Sequence, residues 1–116
     1  MKRILIQNGT IYDGLGGQPY QADLLVQDDR IAQIAPGITE PADQVIDATG
    51  LVICPGLVDM HVHLRDPGLT YKEDIFTGTA AAAHGGVTAV ACMANTDPVV
   101  DSPEHKLLMA LRDSQL

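Results

Sequence analysis

Residues 57–65, Leu57-Val58-Asp59-Met60-His61-Val62-His63-Leu64-Arg65, alternate apolar with polar side chains at a period of two. That period predicts a strand with Val58, Met60, Val62 and Leu64 on one face and Asp59, His61, His63 and Arg65 on the other. Two imidazoles on one strand face can present nitrogens to a single metal ion, and a guanidinium just beyond them suits an anionic substrate. The same residues also read as a polar strand face turned to solvent. Two imidazoles alone do not complete a catalytic metal site, which normally takes three protein ligands and an open position.

Working outward from this strand, the two sides of the chain differ in pattern. Downstream, Asp66-Pro67-Gly68 reads as a loop, and Thr70-Tyr71-Lys72-Glu73 fits a capping box that starts a helix. The helix should run to about His84, with Gly85 as its left-handed stop. Residues 87–93 read as a buried strand and residues 95–100 as a loop. Ser102-Pro103-Glu104 should open a last helix that runs to about Arg112. Strand–helix–strand–helix is the order of a parallel sheet. Two such units cannot close a barrel, and the second strand would keep an unpaired edge.

Upstream, short strands with tight turns are expected. Residues 2–7 should pass through an Asn8-Gly9 hairpin turn into residues 10–12. Residues 22–26 and 30–34 look paired around Gln27-Asp28-Asp29, residues 45–47 form another strand, and residues 51–54 end at the breaker Pro55-Gly56. The expected organisation is a β module over 1–54 and two βα units over 55–116.

Composition narrows the function. Of 116 residues, 46% are hydrophobic and 19% charged, a globular balance. Only Tyr12, Tyr20, Tyr71 and Phe76 are aromatic, so the core must rest on Ile, Leu, Val and Ala. Seven basic residues against fifteen acidic ones give a formal charge of −8, with no basic stripe, which argues against nucleic acid and anionic membranes as partners. Cys54 and Cys92 form no CxxC pair and read as reduced thiols packed as small hydrophobes. No signal-peptide core or membrane span is evident, so the cytoplasm is the expected compartment.

Arg65 falls where the strand meets its loop, and its planar fork suits bidentate carboxylate recognition or, equally, a surface ion pair. Asn95 follows the next strand at the equivalent position, either as a second donor to that carboxylate or as a turn residue. Asp59 sits deeper in the strand, where a second-shell or buried hydrogen-bonding role is expected. His84 reads as a helix terminus and His105 as solvated helix surface.

The stretch from Pro55-Gly56 through His61-Val62-His63-Leu64-Arg65-Asp66-Pro67-Gly68 resembles the opening signature of dihydroorotases in the amidohydrolase superfamily. The likeness continues through Lys72-Glu73-Asp74, Gly78-Thr79, Gly85-Gly86-Val87-Thr88 and Cys92-Met93-Ala94-Asn95-Thr96-Asp97-Pro98. Asp47-Ala48-Thr49-Gly50 is similar to the segment preceding that signature in these enzymes. Ala94 stands where the pattern has proline.

The resemblance implies an α/β fold: a small β-sandwich module, then the first two βα units of a TIM-type (β/α)8 metal-dependent hydrolase barrel. It implies zinc-dependent interconversion of dihydroorotate and N-carbamoyl-L-aspartate in pyrimidine biosynthesis. His61 and His63 would be zinc ligands, and Arg65 and Asn95 would hold the substrate carboxylate. Further ligands and the proton-handling aspartate come from later barrel strands in this family. The chain is therefore expected to be an N-terminal portion that is inactive alone, with a homodimer or an aspartate transcarbamoylase complex as possible assemblies of the whole protein. An allantoinase or hydantoinase, or a non-catalytic dihydroorotase-like scaffold, are the alternatives.

Overall fold

The computed structural model of this protein describes residues 2–104, and the chain divides into two compact units, Met1–Pro55 and Gly56–Leu116. The first unit is one mixed sheet of five strands: β1 (Arg3–Ile11), β2 (Tyr20–Gln27), β3 (Arg30–Ala35), β4 (Gln44–Asp47) and β5 (Val52–Ile53). Their order is β3-β2-β1-β4, with β5 also paired to β1. The expected pairing of β2 with β3 is present, antiparallel, across a turn in which Asp28 takes φ 54. On its other side β1 pairs in parallel with β4 through residues 4–7 and with β5 through residues 10–11.

Asn8-Gly9 is not a hairpin turn. Strand β1 runs straight through it, and the register against β2 slips between Ile6, opposite Leu24, and Gly9, opposite Ala22. One extra residue on β1 makes this a β-bulge. Asn8 takes φ 64, a left-handed conformation that asparagine tolerates and that bulges and hairpin turns both use. Parallel partners on both sides of the bulge keep the strand extended instead of letting it fold back. A Cβ on Gly9 would overlap the Ile53 side chain, so β5 packs here against a position without one.

Leu5, Leu25 and Ile38 form the core of this unit, with Ala35 and Ala42 packed against them. Ile38 and Ala42 come from the loop between β3 and β4, which therefore folds over the sheet. Asp23, only 5% exposed, fastens that loop to the bulge. Its Oδ1 accepts from the Asn8 amide at 2.9 Å and its Oδ2 from the Ile38 amide at 2.9 Å.

The second unit contains β6 (Leu57–Val62), α1 (Ile75–His84) and β7 (Val87–Cys92), with β6 and β7 paired in parallel. This is the expected strand–helix–strand unit, with changes of detail. The helix is capped by Asp74, not Thr70: Asp74 is extended, its carboxylate accepts from the Thr77 amide at 2.8 Å, and Thr77 Oγ1 accepts from the Asp74 amide. Thr70 lies instead in a turn ahead of the helix. A carboxylate is an equally good cap and places the helix start four residues later. Gly85 caps the C-terminus at φ −83, and the left-handed residue is Gly86 at φ 82.

Strand β7 is not buried; its residues are exposed or half-buried. Among the described residues only β6 and α1 pack on it, and α1 has no buried residue itself. Cys54 and Cys92 are both free and exposed, contrary to the expected packing: each lies at or just beyond a strand end, past the covered part of its sheet. Residues 103–104 are helical, while the rest of the helix expected to about Arg112 lies outside the described residues, as does His105. Among the described residues no helix is long and apolar enough to cross a membrane.

Asp23→Ala would strip two largely buried amides of their acceptor, at a cost of about 1–3 kcal/mol for each. Its urea midpoint, read on the β-sheet signal, should fall accordingly, and an unchanged midpoint would remove Asp23 from this role. Asp47 generates a pH prediction. The Thr49 hydroxyl, the Asn8 side-chain amide and the Thr49 backbone amide all donate to it and hold its carboxyl below the ordinary carboxylate value. A depressed value means that the stabilisation is complete above the unfolded-state value of about 4 and fades as pH falls through the lower folded value. Asp47→Asn should flatten the acid limb of the stability-against-pH curve, measured by urea unfolding at each pH.

Candidate functional site

The strand that carries the histidines ends earlier than its alternation suggests. Asp59 lies opposite Val90 and Val62 opposite Cys92, so Met60 and His61 together face one residue of β7. Here β6 bulges against β7, one of two register shifts along this pair. Asp59 Oδ1 accepts from the His61 amide at 3.0 Å. Asp59 is exposed, so it acts on the His61 main chain from the surface and not as a buried hydrogen-bonding group.

His63, Leu64 and Arg65 lie beyond the strand, so the expected four-residue polar face is not one continuous strand face. The two imidazoles nevertheless meet. Their ring centroids are 5.2 Å apart at an interplanar angle of 61°. Two imidazoles bound to one tetrahedral ion, with metal–nitrogen distances of ~2.0–2.1 Å, have centroids about 5 Å apart. His63 Nδ1 is buried with no hydrogen-bond partner in the structure. A buried ring nitrogen left so costs about 1–3 kcal/mol unless another group engages it. The pair therefore fits a shared cation. Among the described residues no cluster of three His, Cys, Asp or Glu side chains forms around it.

Arg65 takes φ 60, a left-handed conformation that costs a residue with a Cβ roughly 1–2 kcal/mol. The turn is closed by the Leu69 amide, which donates to the Arg65 carbonyl at 3.0 Å. The guanidinium reaches the loop after β7, where Nη1 donates to the Asn95 carbonyl oxygen at a long 3.5 Å. So Arg65 and Asn95 are brought together as expected, but through the Asn95 main chain. One long contact leaves most of the five guanidinium donors available.

The two loops also meet through residues to which the sequence assigned no role of their own. The Asp97 amide donates to the Pro67 carbonyl at 3.0 Å. Thr96 is buried, its hydroxyl donating to the Pro98 carbonyl at 2.9 Å and accepting from the Val100 amide at 3.2 Å. Neither residue falls on a periodic stretch, so no hydrophobic pattern could flag them. The run Asn95-Thr96-Asp97-Pro98 carried a turn signal and the family resemblance, neither of which gave Thr96 or Asp97 a structural role.

Residues 50–114 match a protein family described as dihydro-orotase-like. A dihydroorotase of Streptococcus pneumoniae serotype 4 is 54% identical over 101 residues, covering 87% of this chain. The chain spans about a quarter of that relative's length, 24%. Among solved structures, an L-hydantoinase from Arthrobacter aurescens superposes with a TM-score of 0.77 at 30% identity, over 94% of this chain and 24% of that one. An N-acyl-D-glutamate deacylase from Bordetella bronchiseptica, solved with zinc and a phosphonate inhibitor, superposes with a TM-score of 0.61 at 33% identity, over 75% of this chain and 17% of that one. With more than half of its residues inside the family match, the chain belongs to the dihydro-orotase-like family.

Proposed function

We propose that this chain supplies the first two metal ligands and the substrate-carboxylate contact of a dihydroorotase, which interconverts dihydroorotate and N-carbamoyl-L-aspartate. In this reading the β6–α1–β7 unit opens a (β/α)8 barrel, the five-stranded sheet is one layer of its β-sandwich module, and the enzyme works in the cytoplasm. The observation that carries the proposal is the imidazole pair at 5.2 Å with the buried His63 Nδ1 unpartnered, one loop away from the Arg65–Asn95 contact.

His61 and His63 would hold the metal, with zinc favoured by the two nitrogen ligands and by the zinc in the deacylase neighbour. When bound, zinc supplies Lewis acidity toward an amide carbonyl and lowers the pKa of water. Asp59 fixes the main chain of His61 and so the origin of one ligand. Arg65 offers a planar fork to the substrate carboxylate, and charge-assisted bidentate bonds hold the ring in one orientation. The Asn95 side-chain amide adds a donor from the neighbouring loop. The hydantoinase-type alternative draws support from the structural likeness to the L-hydantoinase. Arg65 distinguishes the two, because a simple hydantoin ring carries no carboxylate for it to bind.

Three outcomes test this. The purified chain should bind zinc with both imidazoles shifted in histidine NMR spectra, and His63→Ala should abolish the shift at His61. Asp59→Ala should weaken zinc binding by about tenfold, the usual scale for a group that orients a ligand. In the enzyme that carries this sequence, Arg65→Met should raise KM for dihydroorotate by about 10–100-fold with a smaller change in kcat, the pattern of lost carboxylate binding. Preferential turnover of hydantoin over dihydroorotate would overturn the dihydroorotase assignment.

A further inference from the structure

The loop at residues 65–69 and the loop at residues 94–100 lie against each other so closely that one position admits only glycine. Gly68 takes φ 86, and a Cβ built on it would overlap the Asp97 carbonyl oxygen. That obstacle is main chain, so no side-chain rotation relieves it. On the far side of the same contact, the Asp97 amide donates to the Pro67 carbonyl at 3.0 Å. Thr96, 8% exposed, then closes its own loop through its hydroxyl bonds to Pro98 and Val100, while its amide donates to the Ala94 carbonyl at 2.9 Å. Asn95 is thus gripped between residues whose main chain is fixed, and Arg65 begins the loop that ends at Gly68.

We infer that Gly68 and Thr96 are positioning residues for the carboxylate subsite, locking the two loops so that the Arg65 guanidinium and Asn95 face one ligand. This rests on the reading of Arg65 and Asn95 as carboxylate-binding residues. Neither Gly68 nor Thr96 need touch the ligand. The Arg65–Asn95 contact is long, so it is too weak to hold the loops at this spacing. The Gly68–Asp97 approach and the Thr96 hydroxyl do so instead. The lock sits apart from the bulge that orients His61, so disrupting it should spare metal binding.

The test uses the zinc-loaded chain, isotopically labelled, with N-carbamoyl-L-aspartate as the probe and the Arg65 Nε–H resonance as the reporter. Gly68→Ala and Thr96→Val should each move that resonance before any ligand is added. Each should also weaken binding of the probe by about tenfold, the scale of a lost charge-assisted contact, and leave zinc affinity within about twofold, since no metal-orienting group is touched. Thr96→Ser should restore both the resonance and the affinity, which a role in bulk packing would not predict. If Thr96→Val and Gly68→Ala leave the Arg65 resonance and the affinity unchanged, the inference is wrong. If the unmutated chain ignores the probe while both variants still displace the Arg65 resonance, the carboxylate reading fails and the loop lock stands. Loss of zinc binding in Thr96→Val would also overturn the inference, because the lock would then belong to the metal site.

Discussion

The bulge of β6 where Met60 and His61 face one residue of β7 is the constraint on which the candidate site depends. A strand without it would continue the period-two alternation and fan Asp59, His61, His63 and Arg65 along one face at regular intervals. With it, the strand ends at Val62, and His63 turns into the following segment close enough for its ring to meet His61 edge-on. A bulge leaves an amide outside the ladder, and a main-chain donor without an acceptor is costly. Asp59 supplies the acceptor two residues back along the same strand. The carboxylate that looked like an auxiliary member of a polar face is therefore what makes the irregular backbone affordable.

The two units keep their order by different means. In the five-stranded sheet, a hydrophobic core of Leu5, Leu25 and Ile38 is fastened by one buried carboxylate that joins bulge, central strand and covering loop. In the β6–α1–β7 unit, the buried residues among those described are polar: Asp66 and Thr96, both in the loops that follow the strands. Met60 is 77% exposed and Val58 65%. Order at the strand ends comes from main-chain hydrogen bonds and close loop contact, with little apolar burial beneath. Such order is directional, and a directional lock sets the position of a guanidinium more finely than apolar contact does.

How much of this was legible in the sequence follows from the range of each signal. Alternation and turn residues located β2 with β3 and the strand–helix–strand unit, because those patterns are set within a few residues. The Asn8-Gly9 pair was misread because its signal is a left-handed backbone, which a hairpin and a bulge share; only the parallel partners on β1 decide between them. Thr70 was read as the helix start where the structure uses Asp74, and local chemistry alone does not rank a hydroxyl above a carboxylate. Burial of β7 was expected from its apolar run, yet burial depends on what lies over a strand. The histidine pair and Arg65 were legible as residue types at a spacing. The meeting of the two loops was not, because the Arg65–Asn95 and Asp97–Pro67 contacts join residues some thirty apart in sequence.

The histidine pair and Arg65 are set by separate devices, and under the proposed function that separation has a mechanistic meaning. His61 is oriented within its own strand, by Asp59 and the bulge. Arg65 is oriented by a loop that must meet a second loop through Gly68, Asp97 and the Pro67 carbonyl. His63, between them, lies beyond the strand, and its ring packs edge-on against His61. A left-handed arginine is held there against a cost of roughly 1–2 kcal/mol. The Leu69–Arg65 turn and the Asp97–Pro67 bond, at about 0.5–1.5 kcal/mol each, are enough to offset it. Under the proposed function, the main chain at Arg65 is thus set before a ligand arrives, which spares binding the entropy of ordering it. Under the proposed function, the five residues from His61 to Arg65 set the span between the metal and carboxylate subsites, so a substrate would be selected by the span between its carboxylate and its reacting amide.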